Sequence, residues 1–165
     1  MNEGMYFEDY SADWQFETVG KTVTEAHVTG FVALHEFNTP TFTDPAYALK
    51  SRDHGGRMAP GLLVLSLAEG LVLNAGLTRR RGIFLMALSP EFKKPVMVGD
   101  TLFNRVRLHE KRLTRRPDRG VVITAHEVIN QKGELVLSYH STRMIRTRLY
   151  VEDAPVGASS GAPHE

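Results

Sequence analysis

Cysteine is missing from all 165 residues, which excludes disulfides, thiolate metal sites and a cysteine nucleophile and agrees with a reducing compartment. Net charge is nearly missing too. The 20 Lys and Arg residues offset 19 Asp and Glu to leave +1, so no long-range field argues for nucleic acid as a partner. A membrane-length apolar run is also absent: the most apolar stretch, Gly61 to Gly76, falls short of the roughly 20 residues a spanning helix needs and carries Glu69 inside it. The opening MNEGMYFEDYSADW is acidic, with no basic segment leading into an apolar one. A secretory leader and a membrane association are therefore not expected, and a cytoplasmic location is. What remains is a chain long enough to bury one real core without a metal or disulfide staple.

Along the chain, aromatic residues Tyr6, Phe7, Tyr10, Trp14 and Phe16 lie among acidic ones, followed by KTVTEAH, which reads as a short strand feeding a helix. Thr22 and Glu25 have the spacing of a capping box, in which hydroxyl and carboxylate satisfy the free amides of a first turn. Val28, Phe31, Val32 and His35 then fall at i, i+3, i+4 and i+7, one stripe of a short helix with His35 at the inner edge of its C-terminal end. The stretch EFNTPTFTDPAYALKSRDHGGRMAPG is broken by prolines and glycines, and only PAYALK has the makings of a helical turn or two. Irregular segments of that length inside a compact domain are usually either functional or wrongly assigned. Gly61 to Asn74 comes next as a helix with leucines and valines around its whole circumference, which predicts wrapping on most sides.

The period then changes. IFLMALSPEF, TLFNRVRLHEKRLTR, GVVITAHEVINQ and ELVLSYHSTRMIRTR are β-branched and aromatic runs separated by KKPVMVGD, RPDRG and QKG, and they predict four antiparallel strands. A wrapped helix followed by such a sheet is an α+β layer architecture. Residues 1–149 are expected to form a single domain, and the small, polar, proline-containing 150–165 a disordered tail.

Three stretches resemble the MaoC-like dehydratases, the family of the R-specific enoyl-CoA hydratases: YFEDYSADWQFETVGKTVTEAHVTGFVAL, DPAYALKSRDHGGRMAPGLLVLSLAEGL and LSPEFKKPVMVGDTL. The resemblance implies a hot-dog fold, a curved antiparallel β-sheet wrapped around a long central helix, and a homodimer or higher oligomer. It implies a lyase that reversibly hydrates an enoyl thioester, with coenzyme A present only as part of the substrate and no separate cofactor. In the family a carboxylate and a histidine work through one water, while the amide of the glycine opening the central helix holds the thioester oxygen. That glycine matches Gly61. The acid/base pair has no such match: laying HEFNTPTF on the family's S-x-D-x-N-P-x-H loop places Phe37 at the aspartate and Phe42 at the histidine, and Pro60 replaces the histidine that usually precedes the glycine.

The candidate site is accordingly drawn from the neighbours of the vacated positions. Glu36 and His35 flank the aspartate position and offer a base, the plain alternative being a solvated glutamate and a histidine set against the helix C-terminal dipole. Asn38 offers a hydrogen bond to substrate, though asparagine is also an ordinary turn residue. Glu69 is a carboxylate inside an apolar helix, costly unless paired, hydrogen-bonded or wet. It lies eight residues after Gly61, a spacing similar to that of hot-dog thioesterases that use a carboxylate from the paired subunit. A dimer is needed for that reading, because eight residues span about 12 Å along one helix. Its structural alternative is pairing with an arginine or capping a neighbour at the dimer seam. His54 and Arg57 border the helix start, and Arg79, Arg80 and Arg81, expected to end the central helix, or Arg115, Arg116 and Arg119 near the RPDRG turn, are candidates for the phosphates of a coenzyme A handle, the alternative being a solvated basic helix end. No metal is expected, since His109 and His126 face away from their neighbours Glu110 and Glu127 on a strand. A thioesterase using Glu69, or a non-catalytic acyl-thioester-binding protein with Phe37 and Phe42 filling the old site, are the alternatives to a hydratase.

Overall fold

The computed structural model describes residues 3–50 and 55–150. After a 3-10 turn at Phe7–Asp9 come β1 (Gln15–Glu17), β2 (Lys21–Thr22), α1 (Glu25–His35), α2 (Pro40–Thr43), α3 (Pro45–Lys50) and α4 (Gly61–Asn74). The chain then forms four long strands: β3 (Gly82–Phe92), β4 (Thr101–Leu113), β5 (Arg119–Ile129) and β6 (Leu135–Arg146). The sheet runs β1-β4-β5-β6-β3, with β2 added to the end of β4, and every pairing is antiparallel. β3 is thus an edge strand although it comes first among the long ones.

The strand positions that alternate toward α4 supply the core. Leu102 on β4, Val128 on β5, and Leu137 and Tyr139 on β6 pack with Leu63, Val64 and Ala68 of α4 and with Val28 and Val32 of α1. Fully burying each aliphatic side chain contributes about 1.5–3 kcal/mol. A second cluster uses the opening aromatics, with Phe7 and Tyr10 against Val122 and Ile145. Phe7 occupies the space a side chain at residue 120 would take, its ring lying 2.3 Å from where a Cβ on Gly120 would stand.

Four expectations need correction. The N-cap of α1 is Thr24, whose hydroxyl accepts from the His27 amide while His27 Nδ1 accepts from the Thr24 amide. Thr22 instead shares a hydrogen bond with Thr101, and Glu25 pairs with Arg57. Pro40 opens the short helix α2, since proline at a first helical position loses nothing by lacking an N–H. The arginine triplet does not end α4: it lies in the turn before β3, with Arg80 in left-handed backbone at φ 59°. Tyr150 is part of the fold, its amide bonded to the Thr147 carbonyl and its ring under Arg146, whereas the rest of the expected tail, 151–165, lies outside the described residues. Among the described residues, no helix is long and apolar enough to cross a membrane.

Candidate active site

α4 begins at a buried proline. Pro60 has φ −54° and ψ 137° and offers no side-chain cap, and its carbonyl takes the first intrahelical bond from the Val64 amide. The amides of the first turn have no partner inside the helix and carry the positive end of its dipole. Gly61 is exposed there, beside a hollow of about 330 Å³ bounded by Met58, Ala59, Phe92, Lys93 and Lys94. A Cβ on Gly61 would stand 3.1 Å from the Phe92 ring, so glycine lets the aromatic ring lie against the helix head.

α4 is less wrapped than its composition predicts. Leu62, Ser66, Glu69 and Leu73, at i, i+4, i+7 and i+11, form one wall of a cleft of about 550 Å³, and Leu62 and Leu73 are each about half exposed. Phe31, His35 and Phe37 form the opposite wall, with Leu85 and Leu88 of β3 and Arg143 of β6 completing it. The cleft is apolar apart from three groups: the Ser66 hydroxyl, which donates to the Leu62 carbonyl, the His35 imidazole, and the Glu69–Arg143 ion pair. His35 is exposed, its ring 4.5 Å from that of Phe31, and among the described residues it has no hydrogen-bond partner.

Beneath α4 lies a buried polar chain. Asn104 is fully buried, and its Nδ2 donates to the Ala68 carbonyl at 3.1 Å and to the Tyr139 hydroxyl at 2.9 Å, tying the helix to the sheet. Because Ala68 O can only accept, the Asn104 Oδ1 must face His126 Nδ1, 3.3 Å away. His126 is therefore the neutral Nδ1–H tautomer, with Nε2 accepting from the Thr124 hydroxyl at 2.7 Å. The Tyr139 ring stacks on it at 4.1 Å. Burial, with the nearby positive Arg143 and His140, pushes the His126 pKa down to about 3, and burial, with the negative Glu69, pushes Tyr139 up. The unfolded chain takes up a proton at His126 below its ordinary value of 6.5, and the folded chain does not until about 3. Stability is then fully present above pH 6.5 and is lost as pH falls toward 3. His126→Gln is expected to flatten that part of a stability-versus-pH curve measured by urea unfolding; an unchanged slope would show that His126 is protonated in the fold.

The cleft collects His35, Phe37 and Glu69. Gly61 sits at the head of the same helix but lines the adjoining hollow. Glu36, Asn38, Phe42, Arg57 and Arg80 do not line the cleft. Glu36 is the left-handed C-cap of α1 at φ 56°, with its amide on the Val32 carbonyl. Asn38 is exposed, its amide bonded to the Glu36 carbonyl. Phe42 packs on the main core. Arg57 is occupied by Glu25, Thr29 and the Phe42 carbonyl, which fastens α1 and α2 together. Arg80 is exposed in its turn, and His54 lies outside the described residues. Glu69 is not a free carboxylate, because Arg143 Nη2 donates to its Oε2. Arg143, Asn104 and Tyr139 have no local signal in the sequence that marks them, and His126 enters there only as a rejected metal ligand, although polar residues alternating with valines on β4 and β5 mark inward positions.

The model of the MaoC like domain matches residues 10–131. This chain belongs to the MaoC-like family. Among solved structures it is similar to a monoamine oxidase regulatory protein from Archaeoglobus fulgidus, 33% identical over 87% of this chain and 95% of that one, with a TM-score of 0.79. It is also similar to the MaoC-like dehydratase from Rhodospirillum rubrum, 25% identical over 89% and 100% of the two chains, with a TM-score of 0.78. The R-hydratase from Pseudomonas aeruginosa shares the fold at 22% identity, a TM-score of 0.71, and 92% and 94% coverage. No curated protein matches the chain. The MaoC-like architecture here is the hot-dog fold, with α4 as its central helix.

Proposed function

We propose that this MaoC-like protein is a hydratase/dehydratase that adds water to, or removes it from, an enoyl or 3-hydroxyacyl thioester. The observation that carries the reading is the apolar cleft along α4 with the unpartnered His35 on its wall, next to a helix head whose Gly61 faces a hollow of its own. Hydration raises negative charge on the thioester oxygen, and in this reading the Gly61 N–H, backed by the helix dipole, holds it. One imidazole serves both proton steps: His35 takes a proton from water as its oxygen bonds to Cβ, then returns a proton to Cα. This replaces the carboxylate whose position Phe37 occupies.

A homodimer belongs to the proposal. Phe84 and Met86 are 52% and 41% exposed on the edge strand β3, outside the lining of the cleft. A second copy would cover this unpaired edge and its apolar flank. Sedimentation showing a monomer at micromolar concentration contradicts that part.

The deciding experiment is incubation of the full chain with enoyl-CoAs of several lengths, following the absorbance of the conjugated thioester. Its loss is expected. Phe37 in the cleft favours a second reading, an acyl-thioester-binding protein without turnover; tight binding with unchanged absorbance would select it, and neither binding nor turnover would sink both. The thioesterase reading requires Glu69 to act on water, and its engagement by Arg143 argues against it.

A further inference from the structure

An ion pair in an apolar cleft must affect what the cleft accepts. Glu69 and Arg143 are 12% and 14% exposed at their side chains and are opposite in charge, so together they bring no net charge to the wall. Among the described residues the Arg143 side chain makes one bond, to Glu69 Oε2, while Glu69 Oε1 is buried. The other Arg143 nitrogens are not fully buried, so they keep some contact with open space. That space is where the cleft meets a second hollow of about 360 Å³ beyond Leu73 and Leu85, which Arg143 also lines. Glu69 is eight residues from Gly61, about 12 Å along the helix. A thioester held at the Gly61 amide would therefore meet the pair several carbons beyond its reacting atoms.

We propose that the Glu69–Arg143 pair is a specificity element for acyl groups that carry a neutral oxygen, a hydroxyl or a ketone, several carbons from the thioester. The inference rests on the acyl-thioester reading of the cleft but not on turnover. An alkyl chain passing Arg143 strips water from its free N–H groups and gives nothing back, which costs affinity. A hydroxyl or carbonyl oxygen accepts from them. A distal carboxylate is a poorer fit, because Glu69 already neutralises the guanidinium and would face a second negative charge.

The test is calorimetric binding of three unreactive ligands of equal length to the full chain: octanoyl-CoA, its omega-hydroxy analogue and octanedioyl-CoA. The hydroxy ligand is expected to bind about tenfold to a hundredfold more tightly than the alkyl one, and more tightly than the carboxylate. Equal binding of hydroxy and alkyl ligands, or tightest binding of the carboxylate, overturns the inference. In the double substitution Glu69→Leu with Arg143→Met the hydroxy preference should fall to within about threefold; a preference that survives it also overturns the inference. Hydroxy preference without enoyl hydration would sustain this inference while removing the hydratase reaction, and no binding of any thioester would remove both.

Discussion

Replacement of His35 by glutamine is expected to lower kcat for enoyl-thioester hydration by about 10²–10⁴-fold, the usual worth of a positioned acid/base group. The folded state should hardly notice. His35 is exposed at the last turn of α1 and has no hydrogen-bond partner among the described residues, so the stability change should stay within about 0.5 kcal/mol. Binding of a saturated acyl-CoA should also be nearly unchanged, because the ring contributes one edge of a cleft built mainly from Phe31, Phe37 and leucines. A stopped-flow or steady-state comparison of the two proteins reads the kcat effect directly. Unchanged kcat would mean that the proton moves through another group, and the one-imidazole scheme would be withdrawn.

Glu69→Leu is the second large effect, and it is an effect on stability. Removing the carboxylate leaves the Arg143 guanidinium among Leu73, Leu85 and Ile145 with no counter-charge. Breaking one side of a buried pair costs about 3–5 kcal/mol, whereas replacing both sides by apolar groups is often close to neutral. Glu69→Leu is therefore expected to lower Tm by roughly 10 °C in a chain of this size, and adding Arg143→Met to recover most of it. Thermal unfolding of the two singles and the double gives the coupling. Singles that cost less than about 1 kcal/mol would show a solvated pair of the surface kind.

The parts of this structure that were legible in the sequence are those set by local pattern. α4 was bounded at Gly61 and Asn74 because an apolar run starts after a proline and ends before Gly76, and the four long strands followed from β-branched runs between turn residues. What failed was decided by distant partners. Glu25 has the spacing of a capping residue for Thr22 but is drawn to Arg57, thirty-two residues away, and His27 takes the reciprocal capping role through a ring nitrogen. Glu69 was recognised as a carboxylate needing a partner, but Arg143 lies 74 residues further on and could be named only once β6 was placed. The Asn104–His126–Tyr139 chain needs the register of three strands, which pairs Val106 with His126 and His126 with Tyr139. Gly61 stayed readable throughout, because its requirement is written into the chain itself: a small residue opening a long helix after a proline.

The most direct test of the account compares Gly61→Pro with Gly61→Ala. Both add a Cβ against the Phe92 ring, an exposed side chain able to swing aside. Only proline removes the N–H, at the one helical position that tolerates it, and the extended backbone of Pro60 suits a following proline. If that amide polarises the thioester, kcat/KM should fall about 10²–10³-fold further in Gly61→Pro than in Gly61→Ala, with both proteins folded. Equal activity in the two would show that the amide at the head of α4 does not touch the reacting carbonyl.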